Sequence, residues 1–235
     1  MFYPMYYIDP TYILIIIGML LCMLASARVN ATFKKYDRVY NRYGMSGREA
    51  AERLLQSAGI YNIRVERVSG NLTDYYDNRN QVLCLSDSTY NSTSVAAVGV
   101  AAHECGHAIQ YATGYFPIRV RHVLHPVAQF GSTIAWPLII LGLFIRGESS
   151  SFIINLGIFA FSLAVVLQFV TLPIEFNASR RALRILEGNG ILQRDEIGGA
   201  RKVLSAAAMT YVAALASSVL QLLRIILLFG RRNDE

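Results

Sequence analysis

Five consecutive residues carry the clearest chemical signal in this 235-residue sequence, and they read His103-Glu104-Cys105-Gly106-His107. On a helix, two histidines four residues apart share one face, one turn above the other, so both rings can bind one zinc ion. Glu104 can lie beside the metal without binding it and accept a proton from a zinc-bound water. Zinc lowers the pKa of such a water to about 7. The spacing therefore predicts hydrolysis with Glu104 as general base.

The residues around the motif favour a buried helix. Residues 95–102 are all apolar or small, and the polar residues 91–94 can cap the start of such a helix. Gly106 would let another backbone approach the metal face. The alternative is a pair of surface histidines, but a His, Glu, His cluster after an apolar run is costly unless a metal or other partners satisfy it.

A catalytic zinc usually has three protein ligands and one open position. Glu175 is the leading candidate for the third, because it begins a polar stretch directly after a long apolar one. The alternative is an interfacial carboxylate that pairs with Arg180 or Arg181. Sequence reasoning leaves both open at this point.

Four long apolar stretches predict an integral membrane protein. Only 16% of the residues are charged and 54% are hydrophobic, against roughly 25% charged in ordinary soluble domains. A crossing helix needs about 20 apolar residues. We expect transmembrane helices at about 10–27, 126–145, 150–172 and 205–228, and a small α+β catalytic core from 28–125 plus 173–204, in one mainly α domain. Buried core helices of a soluble protein are the alternative.

The charges predict which side of the membrane holds the core. Of the 22 Lys and Arg residues, 12 lie in 28–121 and six in 180–202. By the positive-inside tendency both segments are cytoplasmic, and the loop 146–148 and both termini lie outside. Arg231 and Arg232 count mildly against this, so the last stretch could instead pack without crossing.

Because the basic residues that give the net charge of +6 are divided between the two sides of the membrane, we expect no nucleic-acid partner. Three cysteines do not form a disulfide framework, which fits a cytoplasmic core.

The predicted core consists of a helix, a small sheet and the motif helix. Ser46 and Glu49 match a capping box at the start of the first helix. Residues 63–68 and 80–86 predict two strands. The motif helix follows and ends near Gly114.

Several segments resemble the bacterial membrane zinc metallopeptidases of the YugP type, and more distantly the HtpX-type membrane proteases; they are 72–77, 82–86, 99–110, 175–182 and 198–211. The resemblance implies a gluzincin-like core with Glu175 as the third zinc ligand. In the distant relatives the pattern is Glu-x-x-Ala-Asp. Ala178 matches its Ala and Ser179 replaces its Asp. The resemblance therefore implies that support for a zinc-bound histidine is weaker or differently placed here.

Other residues are candidates for substrate contacts. Proteases of this fold class often hold a substrate as an added strand ahead of the zinc helix, which suggests a substrate-binding role for Val82, Leu83, Cys84 and Leu85. An ordinary structural strand is the alternative. Tyr111, one turn beyond His107, and His122 are candidates to stabilise the transition state. His122 and His125 are otherwise interfacial residues of a helix that enters the membrane.

The sequence thus predicts a zinc endopeptidase with one zinc ion, integral to the bacterial cell membrane and multi-pass. Its expected partners are the lipid bilayer and a protein or peptide substrate, itself membrane-associated, cut at the cytoplasmic face. A non-catalytic zinc-binding scaffold is the main alternative, and a closed fourth ligand, with His122 first, would distinguish it. A transporter would need ionisable residues within the spans, which have almost none.

Overall fold

The computed structural model describes residues 9–145 and 148–229. Within them the chain forms seven helices and three strands, so it is mainly α with one small sheet, as predicted. The helices are α1 (Tyr12–Tyr36), α2 (Gly47–Ser57), α3 (Asp87–Tyr90), α4 (Val95–Ala112), α5 (Phe116–Phe144), α6 (Glu148–Gly188) and α7 (Arg194–Phe229). The strands are β1 (Arg64–Val68), β2 (Tyr75–Asp77) and β3 (Val82–Ser86).

The chain divides into two compact units. Unit 1 comprises residues 1–24, 121–170 and 211–235, and unit 2 comprises 25–120 and 171–210. Four helices, α1, α5, α6 and α7, are long and apolar enough to cross a membrane, with mean hydropathy between 1.7 and 2.3 over their best windows. Large apolar side chains on them stay exposed, for example Leu24 and Phe159, as lipid-facing residues would. The chain is therefore a mainly α membrane protein.

Small residues let the helices of unit 1 approach closely. A Cβ added to Gly131 would lie 2.8 Å from the carbonyl oxygen of Ala160, and one added to Gly157 would lie 2.9 Å from that of Ala135. The Ser150 hydroxyl donates to the carbonyl oxygen of Gly142 at 2.6 Å. Since lipid supplies no hydrophobic drive between membrane helices, close packing of this kind holds α5 against α6.

α6 is one helix of 41 residues, and it includes both the third apolar stretch and the polar stretch that follows it. Pro173 lies inside it without ending it. A proline removes one backbone hydrogen bond, but membrane helices tolerate this where neighbours satisfy the freed carbonyl. The candidate ligand Glu175 is therefore on the same continuous helix as the third apolar stretch.

Two predicted helix starts in unit 2 are present. Ser46 and Glu49 form the capping box of α2, with the Glu49 carboxylate accepting from the Ser46 backbone at 2.8 Å. The Ser94 hydroxyl accepts from the Ala97 backbone at 3.0 Å and so caps α4. At the start of α7, Asp195 lies in the first turn, and the neighbouring Glu196 accepts from the Gln193 backbone at 2.7 Å.

The sheet of unit 2 has the order β1-β3-β2, and β2 was not predicted. β3 pairs in parallel with β1, with Leu83 opposite Val65, and antiparallel with β2, with Leu83 opposite Tyr76. The Asp74 carboxylate accepts from the Ser86 backbone at 2.8 Å and from its hydroxyl at 2.9 Å, which fastens the start of β2 to the end of β3.

This topology contradicts the substrate-binding role predicted for Val82, Leu83, Cys84 and Leu85. All four are buried, with at most 9% of each residue exposed. Because β3 is the middle strand, both of its backbone edges are already paired and cannot accept an added strand. Leu83 and Leu85 belong instead to the hydrophobic core that includes the buried residues of α4.

Candidate metal centre

The motif helix α4 presents His103 and His107 on one face, as the spacing predicted. Their ring centroids are 4.7 Å apart and the rings are nearly perpendicular. α6 presents Glu175 to both: its Oε2 atom lies 3.3 Å from His103 Nε2 and 3.5 Å from His107 Nε2. The structure thus brings the three predicted ligands together, all within unit 2, with donor atoms within 4.8 Å of one another.

This donor set fits a zinc ion. Zinc binds imidazole nitrogen and carboxylate oxygen at about 2.0–2.2 Å in a tetrahedron, which puts neighbouring donors about 3.3 Å apart. Glu175 is only 4% exposed, and its buried Oε2 atom accepts no hydrogen bond from a described residue. A buried carboxylate oxygen with no donor is costly unless a cation satisfies it. Two histidines and one glutamate are also the ligand set of a catalytic zinc site with one position open.

A buried amide holds the ring of His107. Gln110, fully buried on α4, donates through Nε2 to the Ile174 carbonyl at 2.8 Å and to Asn177 Oδ1 at 3.0 Å. Its Oε1 atom therefore faces His107 Nδ1, at 3.0 Å. An amide oxygen can only accept, so Nδ1 carries the proton and the Nε2 lone pair is left for a metal.

His103 is held by a hydroxyl. Its Nδ1 atom lies 3.2 Å from Ser179 Oγ, and Ser179 is one turn beyond Glu175 on α6. Ser179 is the residue that departs from the Asp of the distant relatives. It supplies a hydrogen bond without a charge, so the imidazole gains orientation but little added basicity.

Gly106 sets the distance between the two helices that carry the ligands. A Cβ at this position would lie 2.5 Å from the Ala178 carbonyl oxygen and 3.2 Å from its Cα. Only glycine at this position allows the backbones of α4 and α6 to lie this close together. The prediction that Gly106 admits another backbone to the metal face is confirmed.

Glu104 lies next to the ligands in a buried position, with 8% of the residue exposed. Burial raises the pKa of its carboxyl above the ordinary value, although the neighbouring His107 and His103 oppose this. A raised pKa suits a group that must take up a proton and release it again. The structure is consistent with Glu104 as general base, a role that stays a prediction.

The pKa values of Glu175 and His107 shift in opposite directions because the two groups attract each other. Burial would raise the pKa of Glu175, but the two imidazoles beside it outweigh burial and lower that pKa well below its usual range. Burial would lower the pKa of His107, but Glu175 and Glu104 outweigh burial and raise it. The carboxylate is thus held ionised, as a metal ligand must be.

The other predicted site residues have mixed outcomes. The Tyr111 ring packs against that of Tyr76 on β2, with centroids 5.6 Å apart, and its role in the transition state stays a prediction. His122 and His125 belong to unit 1, so their predicted roles are not tested. Sequence reasoning missed Gln110 and Asn177. Gln110 lies three residues after His107, on the same helical face, and that spacing was the available signal.

Comparisons with known proteins agree with this centre. A family model described as "Putative neutral zinc metallopeptidase" matches residues 11–230. The chain is 44% identical over 211 residues to the "Putative membrane protease YugP" of Bacillus subtilis (strain 168), covering 90% of this chain and 92% of that protein. No solved structure matches. The match confirms the resemblance inferred from the sequence, and with it the zinc cofactor.

Proposed function

This chain belongs to the neutral zinc metallopeptidase family, and we propose that it is a membrane-bound endopeptidase that hydrolyses peptide bonds of membrane or membrane-associated proteins. One observation carries the proposal: nitrogens of His103 and His107 and a carboxylate oxygen of Glu175 converge, and the buried Glu104, which is not part of this group, lies beside them. When bound, zinc would polarise the scissile carbonyl and activate water.

Each residue of the site then has its own role in the reaction. His103, His107 and Glu175 hold the ion, while Gln110 fixes one ring through its amide. Glu104 accepts a proton from the attacking water and passes it to the leaving amine, which needs a carboxyl whose pKa lies closer to neutrality than usual. Burial supplies that shift.

The number of ligands favours catalysis over a structural site. Among the residues that the structure describes, the group that could hold a metal contains three ligands. Three protein ligands leave a tetrahedral position for water and substrate, whereas structural zinc sites are closed by four. A non-catalytic scaffold would need a further protein ligand.

β2 is the strand that best suits a peptide substrate. Within the described chain it pairs with β3 alone, so its outer edge is available for backbone hydrogen bonds. Tyr76 of β2 packs on Tyr111, one turn beyond His107, which ties this strand to the motif helix. A substrate bound here as an added strand would be recognised mainly through its backbone.

The charge distribution supports a cytoplasmic site. Unit 2 contains 17 of the 22 Lys and Arg residues, and its two segments flank the apolar stretches. Substrates would therefore be presented at the cytoplasmic face of the cell membrane.

The test compares the purified protein with Glu104→Gln, reconstituted in the same vesicles with a fluorescently labelled membrane-protein substrate. We expect zinc content to be retained and the cleavage rate to fall by about 10²- to 10⁴-fold, the usual contribution of a general base. The matched control is Glu66→Gln on β1, an exposed acid whose loss should change neither quantity. Equal cleavage by the Glu104→Gln protein and the wild type would refute the mechanism.

A further inference from the structure

A cavity lies within unit 2, and the candidate metal ligands do not line it. It has a volume of about 480 Å³ and opens between the C-terminal part of α1 and the N-terminal part of α7. A cavity of this size holds a small molecule or a headgroup.

The cavity concentrates positive charge. Arg28 and Lys35 of α1 face it together with Arg201 and Lys202 of α7, and the described residues of its lining include no carboxylate. All four side chains are exposed, and none forms an ion pair with another described residue. Four like charges around one space repel one another unless an anion joins them. The lining therefore points to an anionic ligand.

The aromatic ring of Tyr36 contacts two of the four basic side chains. Lys35 Nζ lies 5.7 Å and Lys202 Nζ 6.0 Å from the centre of the Tyr36 ring. A Cβ on Gly199 would come within 2.8 Å of that ring, so the ring rests directly on the backbone of α7. Cations held over an aromatic face lose less freedom when an anion binds.

Part of the lining is apolar. Ala206 and Met209 lie on α7 one to two turns beyond the basic Arg201 and Lys202, and Met209 is 45% exposed. Arg28 directly follows the first apolar stretch of the sequence, and the last predicted span begins at residue 205. A soluble anion would not use an apolar lining, whereas a lipid presents a charged headgroup joined to acyl chains. Basic cavities between membrane helices bind anionic headgroups in this way.

We propose that this cavity binds the phosphodiester headgroup of an anionic membrane lipid. The basic side chains contact the phosphate, and Ala206 and Met209 contact the start of the acyl chains. The site is independent of the proposed peptidase activity, because it shares no residue with the metal centre.

The test measures lipid retention by native mass spectrometry. The delipidated full-length protein is titrated with phosphatidylglycerol and, separately, with phosphatidylcholine. We expect selective retention of phosphatidylglycerol, and for Arg201→Gln/Lys202→Gln an affinity about 30-fold lower. The matched control, Arg53→Gln/Arg79→Gln, removes the same charge from exposed positions outside the cavity and should stay within about twofold of the wild type.

A second variant tests the same cavity with all four basic residues retained. Ser205→Glu places a negative charge at an exposed position of the lining, where it repels an anionic headgroup. It should weaken phosphatidylglycerol binding with no change in zinc content or melting temperature. A separate arm adds glycerol 3-phosphate as a soluble competitor, which should not displace the lipid at equal concentration. Equal retention of phosphatidylcholine, equal losses in the control pair, or displacement by the soluble phosphate would each overturn the proposal.

Discussion

The two imidazoles of the metal centre are held by different chemistry. His107 donates to a buried amide that is itself anchored at two acceptors, while His103 meets a single hydroxyl. An amide fixed in this way tolerates little movement. A serine hydroxyl rotates and carries no charge, so His103 is the more adjustable of the two candidate ligands.

Ser179 therefore offers a direct test of how zinc affinity is set. Ser179→Ala removes the partner of His103 Nδ1, and we expect zinc to bind about tenfold more weakly. Ser179→Asp supplies a charged acceptor and should bind zinc more tightly than the wild type. Competition with a metal chelator of known affinity measures both changes. Identical zinc affinity in the three proteins would show that Ser179 does not support the ligand.

At the scale of elements, the site depends on the spacing of α4 and α6. Ala178, Ala182 and Leu186 follow Glu175 at intervals of three and four residues, so they share its face of α6, and all three are fully buried. Gly106 provides the matching hollow on α4. The ligands of the two helices meet because small residues allow the backbones to approach.

Gly106→Ala should separate the two helices. The new Cβ meets the backbone of Ala178, which cannot move as a side-chain end would, so we expect a loss of about 1–3 kcal/mol in stability and weaker zinc binding. The matched control is Gly198→Ala on α7, where nothing lies within 4 Å of the new Cβ. That change should leave zinc binding intact and raise stability slightly. Chemical denaturation and zinc titration measure both. Full zinc affinity in the Gly106→Ala protein would contradict the packing argument.

Local signals predicted most of the elements that carry the site. The motif helix and its Ser94 cap follow from residue types close in sequence, because capping and helical spacing are local. β2 was missed because it has three residues, and its pairing with β3 is fixed by Asp74 reaching Ser86. The partners of Gln110 lie 64 and 67 residues away, so no local pattern could show them. The central position of β3 likewise depends on pairing across the sheet.

At the scale of the whole molecule, four apolar helices and an uneven distribution of basic residues define the membrane protein. The apolar helices were predictable because length and hydropathy suffice. The side of the membrane follows from the basic residues alone, and it stays a prediction.

Cysteine labelling in cells tests that side. Arg53→Cys on α2 should react with a membrane-impermeant maleimide only after the cells are permeabilised. Gly147→Cys, in the predicted outer loop and outside the described residues, should react in intact cells. The wild-type protein gives the background labelling of the native thiols, of which Cys84 and Cys105 are buried. Labelling of Arg53→Cys in intact cells would place the motif helix outside and overturn the cytoplasmic assignment.

X-ray absorption at the zinc edge identifies the atoms that bind the metal. The chain has four histidines, so His122→Gln/His125→Gln leaves His103 and His107 as its only imidazoles. Purified without a histidine tag and loaded with one equivalent of zinc, this variant should show two imidazoles and oxygen ligands at about 2.0–2.2 Å, with no sulfur. A sulfur ligand at about 2.3 Å, or the loss of stoichiometric zinc from this variant, would contradict a centre formed by His103, His107 and Glu175.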